Sequence, residues 1–260
     1  GIDKFSFSAG FSYKDYDDMR RGRNSDYKRI ENSTDGIMQS PNAYTAYDFD
    51  SKLTYKITEQ SSLIAAYQLA NQDKVPRYDK YENDDYYVWQ YHPQKRQLGY
   101  LKYQQSFNSH YIHSFNTTVS FNKQIEGRQT QRHMNSDLQK EKDEAQTLGL
   151  TFEAKSILRK HVFIYGTEIY LDKVQSEHFD YDAISGVRTK STTSRYPDGA
   201  KYNSYGFYLQ DEYTLFKNLT TTLGGRFSYF DTQFKLIGMD STLFSLSLIH
   251  ISEPTRLRRI

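Results

Sequence analysis

Apolar and polar residues alternate along much of this chain. In FSFSAGFSY, the residues Phe5, Phe7, Ala9, Phe11 and Tyr13 fall on one parity, and Ser6, Ser8, Gly10 and Ser12 on the other. A period of two is the mark of a β-strand with one apolar and one polar face. The alternation returns at Tyr47, Phe49, Leu53, Tyr55 and Ile57 against Asp48, Asp50, Lys52, Thr54 and Lys56. It returns again at Leu63 to Leu69, Phe115 to Phe121, Leu148 to Ala154 and Leu219 to Tyr229. Segments near 97–107, 161–172 and 203–213 also read as strands. Their facing stays open, because Gln97 to Tyr103 carries apolar residues on both parities. The pattern predicts an all-β, antiparallel chain of about nine strands, most long enough for the 9–11 residues of a membrane-crossing strand.

The connections sharpen this reading. The gaps between Ile57 and Leu63, Phe107 and Phe115, Ala154 and Val162, and Tyr213 and Leu219 are short. The gaps Lys14–Ala43, Asn71–Lys95, Lys123–Glu144 and Lys173–Lys201 are long, roughly 20–30 residues against a usual median of about 4–6. Short and long connections alternate, as in an outer-membrane barrel with tight periplasmic turns and long extracellular loops. A soluble β-sandwich predicts shorter strands and mostly short loops. Tyr13, Tyr44, Tyr67, Tyr202 and Tyr229 stand near strand ends, where an interfacial girdle places an apolar ring beside a wet hydroxyl. The aromatic face of FSFSAGFSY is therefore expected to meet lipid. Closed single-chain bacterial barrels have an even number of strands, and an open sheet leaves edge groups unsatisfied in lipid. The chain is expected to be a partial barrel belonging to a larger one.

Composition changes the picture little. Hydrophobic residues make up 37% of the 260, and mean hydropathy is −0.84. No window approaches the roughly 18 apolar residues of a spanning helix. The 24 Tyr and 16 Phe argue against disorder, since disordered chains are poor in aromatics. A net charge of +2 is too balanced to indicate a nucleic-acid partner. The absence of cysteine removes zinc fingers, thiol catalysis and disulfide frameworks. The chain opens directly into a strand with no initiator Met or targeting segment, as expected of a fragment.

The stretch RYPDGAKYNSYGFYLQDEYTLFKNLTTTLGGRFSYFD (Arg195 to Asp231) resembles the strand–turn–strand unit of TonB-dependent outer-membrane receptors, particularly Bacteroidetes-like ones. It carries a loop ending in Pro-Asp-Gly, a strand closing on Gln-Asp-Glu, a tight turn, and a Leu/Thr strand ending in Gly-x-Arg. VPRYDKY, WQYHPQKRQLGYLKY and YGTEIYLDKV resemble further barrel segments. The resemblance covers nearly the whole chain to about residue 244. It implies an outer-membrane location and TonB-energised uptake of a scarce nutrient: an iron–siderophore complex, haem, cobalamin or a glycan. It also implies a plug domain of the same chain and, through the plug, the TonB complex as partners. Neither the plug nor the TonB-contacting box is found in these residues. A passive porin and a barrel-type outer-membrane enzyme are the alternatives.

Leu246 to Arg256 reads LSLIHISEPTR and breaks the strand pattern. It resembles an in-frame translation of a transposase sequencing adapter, with Leu257 to Ile260 as index sequence. Residues 1–245 are thus expected to be the barrel segment and 246–260 a non-native tail, which removes His250 and Glu253 from functional consideration.

No Gly-x-Ser-x-Gly elbow, His-Glu-x-x-His or phosphate-binding Gly loop occurs, so no catalytic residue, metal or cofactor is assigned. The run DKYENDDYY (Asp79–Tyr87) has carboxylates but lacks calcium-loop spacing and reads as a solvated acidic loop. Its Tyr86, with Trp89, Tyr91, His92 and the loop cation Arg132, forms the candidate extracellular surface for a small-molecule or metal-complex ligand. His133 lies beside Arg132. His110 and His113 fall in a predicted periplasmic turn and read as surface residues. QKEKDEAQ (Gln139–Gln146) is expected to be a solvated loop descending into the barrel. Asp48, Asp50, Lys52, Glu153 and Arg226 are expected to line a wet lumen. The Asn-x-Ser/Thr matches at Asn32, Asn116 and Asn218 carry no functional weight.

Overall fold

A computed structural model describes residues 3–22, 37–82, 85–109, 111–191 and 193–235, together with the backbone of 243–252 and 255–259. Asn32 and His110 lie outside the described residues. The strands are β1 (Phe5–Tyr16), β2 (Met19–Arg20), β3 (Met38–Gln39), β4 (Tyr44–Thr58), β5 (Ser61–Asp73), β6 (Val75–Pro76), β7 (Val88–Ser106) and β8 (Ser114–Gln131). They continue as β9 (Leu138–Leu158), β10 (His161–Tyr181), β11 (Arg188–Lys190), β12 (Lys201–Phe216), β13 (Leu219–Lys235), β14 (Leu243–Ser252) and β15 (Thr255–Arg259). A short helix, α1 (Tyr78–Glu82), precedes β7.

One sheet runs β1-β4-β5-β7-β8-β9-β10-β12-β13-β14, each strand antiparallel to the next in sequence along that path. The short strands β6, β11 and β15 pair onto β7, β10 and β13, and β2–β3 form a separate hairpin. The path begins at β1 and ends at β14 without the two meeting, so the barrel is partial.

The register gathers the alternating residues into two faces. One cross-strand row reads Phe7, Leu53, Ala65, Leu101, Val119, Leu150, Ile169, Tyr205 and Tyr229. On the opposite face, Gly10, Asp50, Gln68, Leu98, Asn122, Thr147, Asp172, Tyr202 and Thr232 align in the same way. Large apolar side chains on the first face stand in the open: Phe11 is 71% exposed, Val119 50% and Leu101 48%. A soluble sheet would bury such a band against a second layer.

The facing left open by the sequence is settled by pairing. Leu101, Ile169, Tyr205, Phe207 and Leu209 join the apolar face, while Leu98, Tyr100, Tyr170 and Tyr208 join the polar one. Tyr44, paired with Tyr16, and Tyr202 also lie on the polar face, so they do not belong to an outward girdle. Asp48, Asp50, Lys52, Glu153 and Arg226 share the polar face as the alternation predicts. There Arg226 pairs with Glu168 at 2.6 Å, and the Tyr208 hydroxyl donates to Glu153 at 2.8 Å.

Short turns occupy one rim: Glu59–Gln60, Phe107–His113, Arg159–Lys160 and Lys217–Asn218. His113 is exposed, and its N–H donates to the Lys155 carbonyl at 2.7 Å.

The opposite rim differs from expectation. β8 runs on to Gln131 and β9 begins at Leu138, leaving only Arg132–Asp137 as connection. QKEKDEAQ is therefore not a loop descending into the barrel: it lies in β9, paired with both β8 and β10. Both faces are polar there, so no alternation marks the strand, yet main-chain pairing continues regardless of side chain. β9 and β10, at 21 residues each, extend well past the apolar band. These extensions form a wall that carries the candidate site.

Candidate functional site

The wall is shaped by a bulge in β7. Tyr91 pairs with Arg128 and Gln94 with Glu126, so His92 and Pro93 are set against one residue, Gly127. A Cβ at position 127 would strike the His92 carbonyl, which makes glycine necessary at this close approach. The extra residue flips the facing of β7 above the bulge. Trp89 and Tyr91 thereby share the polar face with Thr130 and Arg128, whereas even-numbered residues take that face below it.

Trp89 is 4% exposed. Tyr91 meets its ring edge-on at 4.8 Å, and the guanidinium groups of Arg77 and Arg128 lie 5.0 and 5.8 Å from its centroid. Its N–H donates to the Tyr81 hydroxyl at 2.7 Å. Arg128 is in turn paired with Glu141 on β9. Trp89 thus joins the β5–β7 connection to the wall, with its ring already packed by protein groups. His92 is a separate contact, its Nδ1 2.5 Å from Asp73 Oδ1 at the end of β5.

Tyr86 and Arg132 come together, although they lie on different connections. The Arg132 guanidinium sits 4.9 Å from the Tyr86 ring centroid, within cation–π range. The Tyr87 N–H donates to the Gln131 carbonyl at 2.8 Å, holding the two connections side by side. Ser40, Pro41, Tyr81, Tyr86, Tyr87, Arg132, His133 and Met134 line an open cavity of about 460 Å³. Phenols, an imidazole and a guanidinium in one concavity offer ring faces and hydrogen-bond donors to a planar or anionic guest. Burial pushes the Tyr81 phenol above its usual range, so it stays neutral.

A second cluster lies on the polar face of β8, β9 and β10, and nothing in the local sequence marks it. Arg195, on the segment between β11 and β12, reaches across β9 to Glu126 at 2.5 Å and stands 3.8 Å from Asp143. The Ser176 hydroxyl donates to Asp143 at 2.5 Å, and His178 Nδ1 lies 2.8 Å from the Thr193 carbonyl. Burial raises the Asp143 carboxyl above the usual range, opposed by the Ser176 hydrogen bond and the Arg195 charge. Gly199 anchors the segment with φ of +76°, a conformation that disfavours residues with a Cβ, and its N–H donates to the Val174 carbonyl. The available sequence signal was Arg195 itself, which opens the Pro-Asp-Gly stretch. Beside the cluster is a cavity of about 270 Å³ that includes Glu126, Asp143 and Tyr196.

Among the described residues no group of three or more His, Cys, Asp or Glu side chains is placed to hold a metal ion. No helix among them is long and apolar enough to cross a membrane.

Residues 62–258 match the family described as TonB dependent receptor-like, beta-barrel. The chain belongs to the TonB-dependent receptor β-barrel family. Members of this family are outer-membrane receptors that take up nutrients. No curated protein matches the sequence. Among solved structures, the copper transporter OprC superposes with a TM-score of 0.78 at 11% identity, over 100% of this chain and 38% of that one. The ferric citrate transporter FecA, in its unliganded form, gives 0.57 at 18% identity over 84% of this chain and 34% of its own. The siderophore receptor PiuA from Acinetobacter baumannii gives 0.55 at 12% identity over 96% and 42%. The TonB-dependent receptor barrel described here thus spans about two fifths or less of each of these chains.

Proposed function

We propose that this chain forms part of the wall and extracellular vestibule of an outer-membrane receptor for TonB-energised uptake of a scarce nutrient. The observation that carries the reading is the two-faced sheet: an exposed apolar band on one side, a charged and hydrogen-bonded face on the other. The apolar band meets outer-membrane lipid; the polar face lines the lumen and packs on a plug domain of the same polypeptide, through which the TonB complex acts. The nutrient is an iron–siderophore complex, haem, cobalamin or a glycan. Tyr86 and Arg132 contact it at the mouth, while Trp89, Tyr91 and His92 hold the frame. The fold neighbours are named as transporters or receptors for copper, ferric citrate and siderophores, which supports a metal-complex guest.

Accumulation of each candidate nutrient by cells relying on the intact receptor tests this. Uptake of one of them should collapse when TonB is deleted, and Tyr86→Ala with Arg132→Ala should weaken its capture about tenfold, as loss of one cation–π and one charged contact implies. Uptake that persists undiminished without TonB would identify a passive pore instead.

We further infer that residues 246–260 are adapter-derived. The backbone of 243–252 pairs with β13 along Arg226–Lys235, and that of 255–259 pairs with the same strand along Leu219–Leu223. An open sheet edge accepts any extended chain, because the ladder uses only main-chain N–H and C=O groups. Long-read sequencing of the source locus should give a different continuation after about residue 245. The same codons inside an uninterrupted gene would disprove this.

A further inference from the structure

The pairing of β10 with β12 ends at Lys173, and its pairing with β11 starts at Phe179. Residues 193–200 run along the edge left between them. Nearest the band, the Gly199 N–H donates to the Val174 carbonyl at 2.9 Å and the Val174 N–H to the Ala200 carbonyl at 2.8 Å. The Ser176 N–H donates to Asp198 Oδ1 at 3.0 Å. Further out, Arg195 reaches over the polar face to Glu126, and His178 Nδ1 faces the Thr193 carbonyl at 2.8 Å. The Ser191 N–H meets the His178 carbonyl at 2.9 Å. Residues 193–196 thus form a strap, and its Tyr196 borders the cavity of about 270 Å³ beside Glu126 and Asp143.

His178 is 9% exposed, and each of its ring nitrogens faces an oxygen acceptor. Nδ1 has the Thr193 carbonyl, and Nε2 lies 3.3 Å from Asp180 Oδ1 on the same face of β10. A neutral imidazole carries one N–H and satisfies one of these acceptors; an imidazolium carries two and satisfies both. With the proton on Nδ1 alone, Nε2 is a buried lone pair turned toward a carboxylate, with no hydrogen-bond partner. The other charges around the ring are matched. From β9, Glu141 stands opposite His178 and is held by Arg128 of β8, while Asp143 accepts the Ser176 hydroxyl. On the strap side, Arg195 is paired with Glu126, and Asp198 accepts the Ser176 N–H. β11 sets Arg188 and Lys190 opposite Tyr181 and Phe179, on the other face.

We propose that His178 is a proton-operated clasp that holds the strap against the polar face through the Thr193 carbonyl. Its imidazolium donates to Thr193 and Asp180 together and keeps residues 193–196 in place. As pH rises through the range where histidine titrates, about pH 5–8, the ring must give up one of the two acceptors. The strap then lifts about Gly199 and opens the cavity beside Tyr196. A guest entering the lumen meets a closed wall in acid and an open one above neutrality. That consequence alone rests on the reading that the polar face lines the lumen.

The test follows a nitroxide at position 193, where the side chain is exposed, in the intact receptor in vesicles. Its electron-spin-resonance line shape is recorded between about pH 5.5 and 8, across histidine titration. The mobile fraction of the label should rise about tenfold over that range, as loss of one charged hydrogen bond implies. His178→Gln keeps a donor for the Thr193 carbonyl but cannot titrate, so the pH response should vanish. Asp180→Asn removes the carboxylate that favours the charged ring and should move the midpoint down by about one pH unit. Asp143→Asn should retain the response. Mobility that is flat with pH, or that falls as pH rises, would overturn the clasp. A response that survives His178→Gln would also overturn it, placing the titration on another group. The readout is strap mobility rather than lipid exposure, so a failed clasp leaves the outer-membrane reading standing.

Discussion

Refolded alone into lipid vesicles, residues 1–245 will give no species that resists SDS and shifts its gel migration on heating. The sheet path starts at β1, which among the described residues pairs only with β4, so about half of the main-chain groups of that 12-residue strand face outward unpaired. Without the continuation after residue 245, β13 is left in the same condition along its far edge. In hydrocarbon each unsatisfied group costs several kcal/mol, and the sum over one edge strand far exceeds the ~5–15 kcal/mol of net stability typical of a folded domain. Closure by direct pairing of β1 with β13 would join the first and last of nine alternating strands, which run in the same direction, whereas single-chain bacterial barrels close with an even number of antiparallel strands. Refolding into the vesicles and gel shift on boiling checks this. A heat-modifiable, SDS-resistant band would show that the segment closes by itself.

In the intact receptor, Val119→Arg should be the most destabilising of three neighbouring substitutions on β8. Val119 stands between Leu101 and Leu150 in the middle of the apolar band. Arginine on the lipid face of a barrel costs roughly 2–4 kcal/mol at the midplane and about 0–1 kcal/mol near an interface. Phe121, 46% exposed, is one step from Lys123, where the band ends, so Phe121→Arg should cost less. Ser120 lies on the polar face between Tyr100 and Gly149 and should tolerate arginine best. Denaturant unfolding of the three variants in vesicles gives the order directly. A larger loss for Ser120→Arg than for Val119→Arg would reverse the assignment of faces.

The band was legible in the sequence because, within it, one face of most strands is nearly all apolar. Phe115 to Phe121 and Leu148 to Ala154 needed no other information. β7 was not legible in facing, since Leu98 and Tyr100 sit on the polar face while Gln97 and Gly99 take the apolar one; only register decides between them. The strand extensions above the band were invisible for a different reason. Where Lys140, Lys142 and Glu144 point one way and Glu141 and Asp143 the other, both faces are wet and the period of two carries no contrast. The bulge at His92–Pro93 inverted the facing of Trp89 and Tyr91; its signals were Pro93 itself, inside a strand pattern, and Gly127 on the neighbouring strand. Tyr86 and Arg132 were recognisable as aromatic and cationic loop residues, but their contact depends on two connections meeting. The link from Arg195 to Glu126 spans 69 residues and could not be read from either end.

The central claim is that one face of this sheet meets lipid, and a soluble core would also reject arginine at Val119, so stability alone does not decide it. Spin labels placed singly at positions 119 and 120 of the intact receptor in vesicles decide it. The label at position 119 should be accessible to oxygen and shielded from a polar nickel reagent, with the pattern reversed at position 120. A label at position 119 shielded from both would place Val119 in a protein core and contradict the lipid-facing sheet.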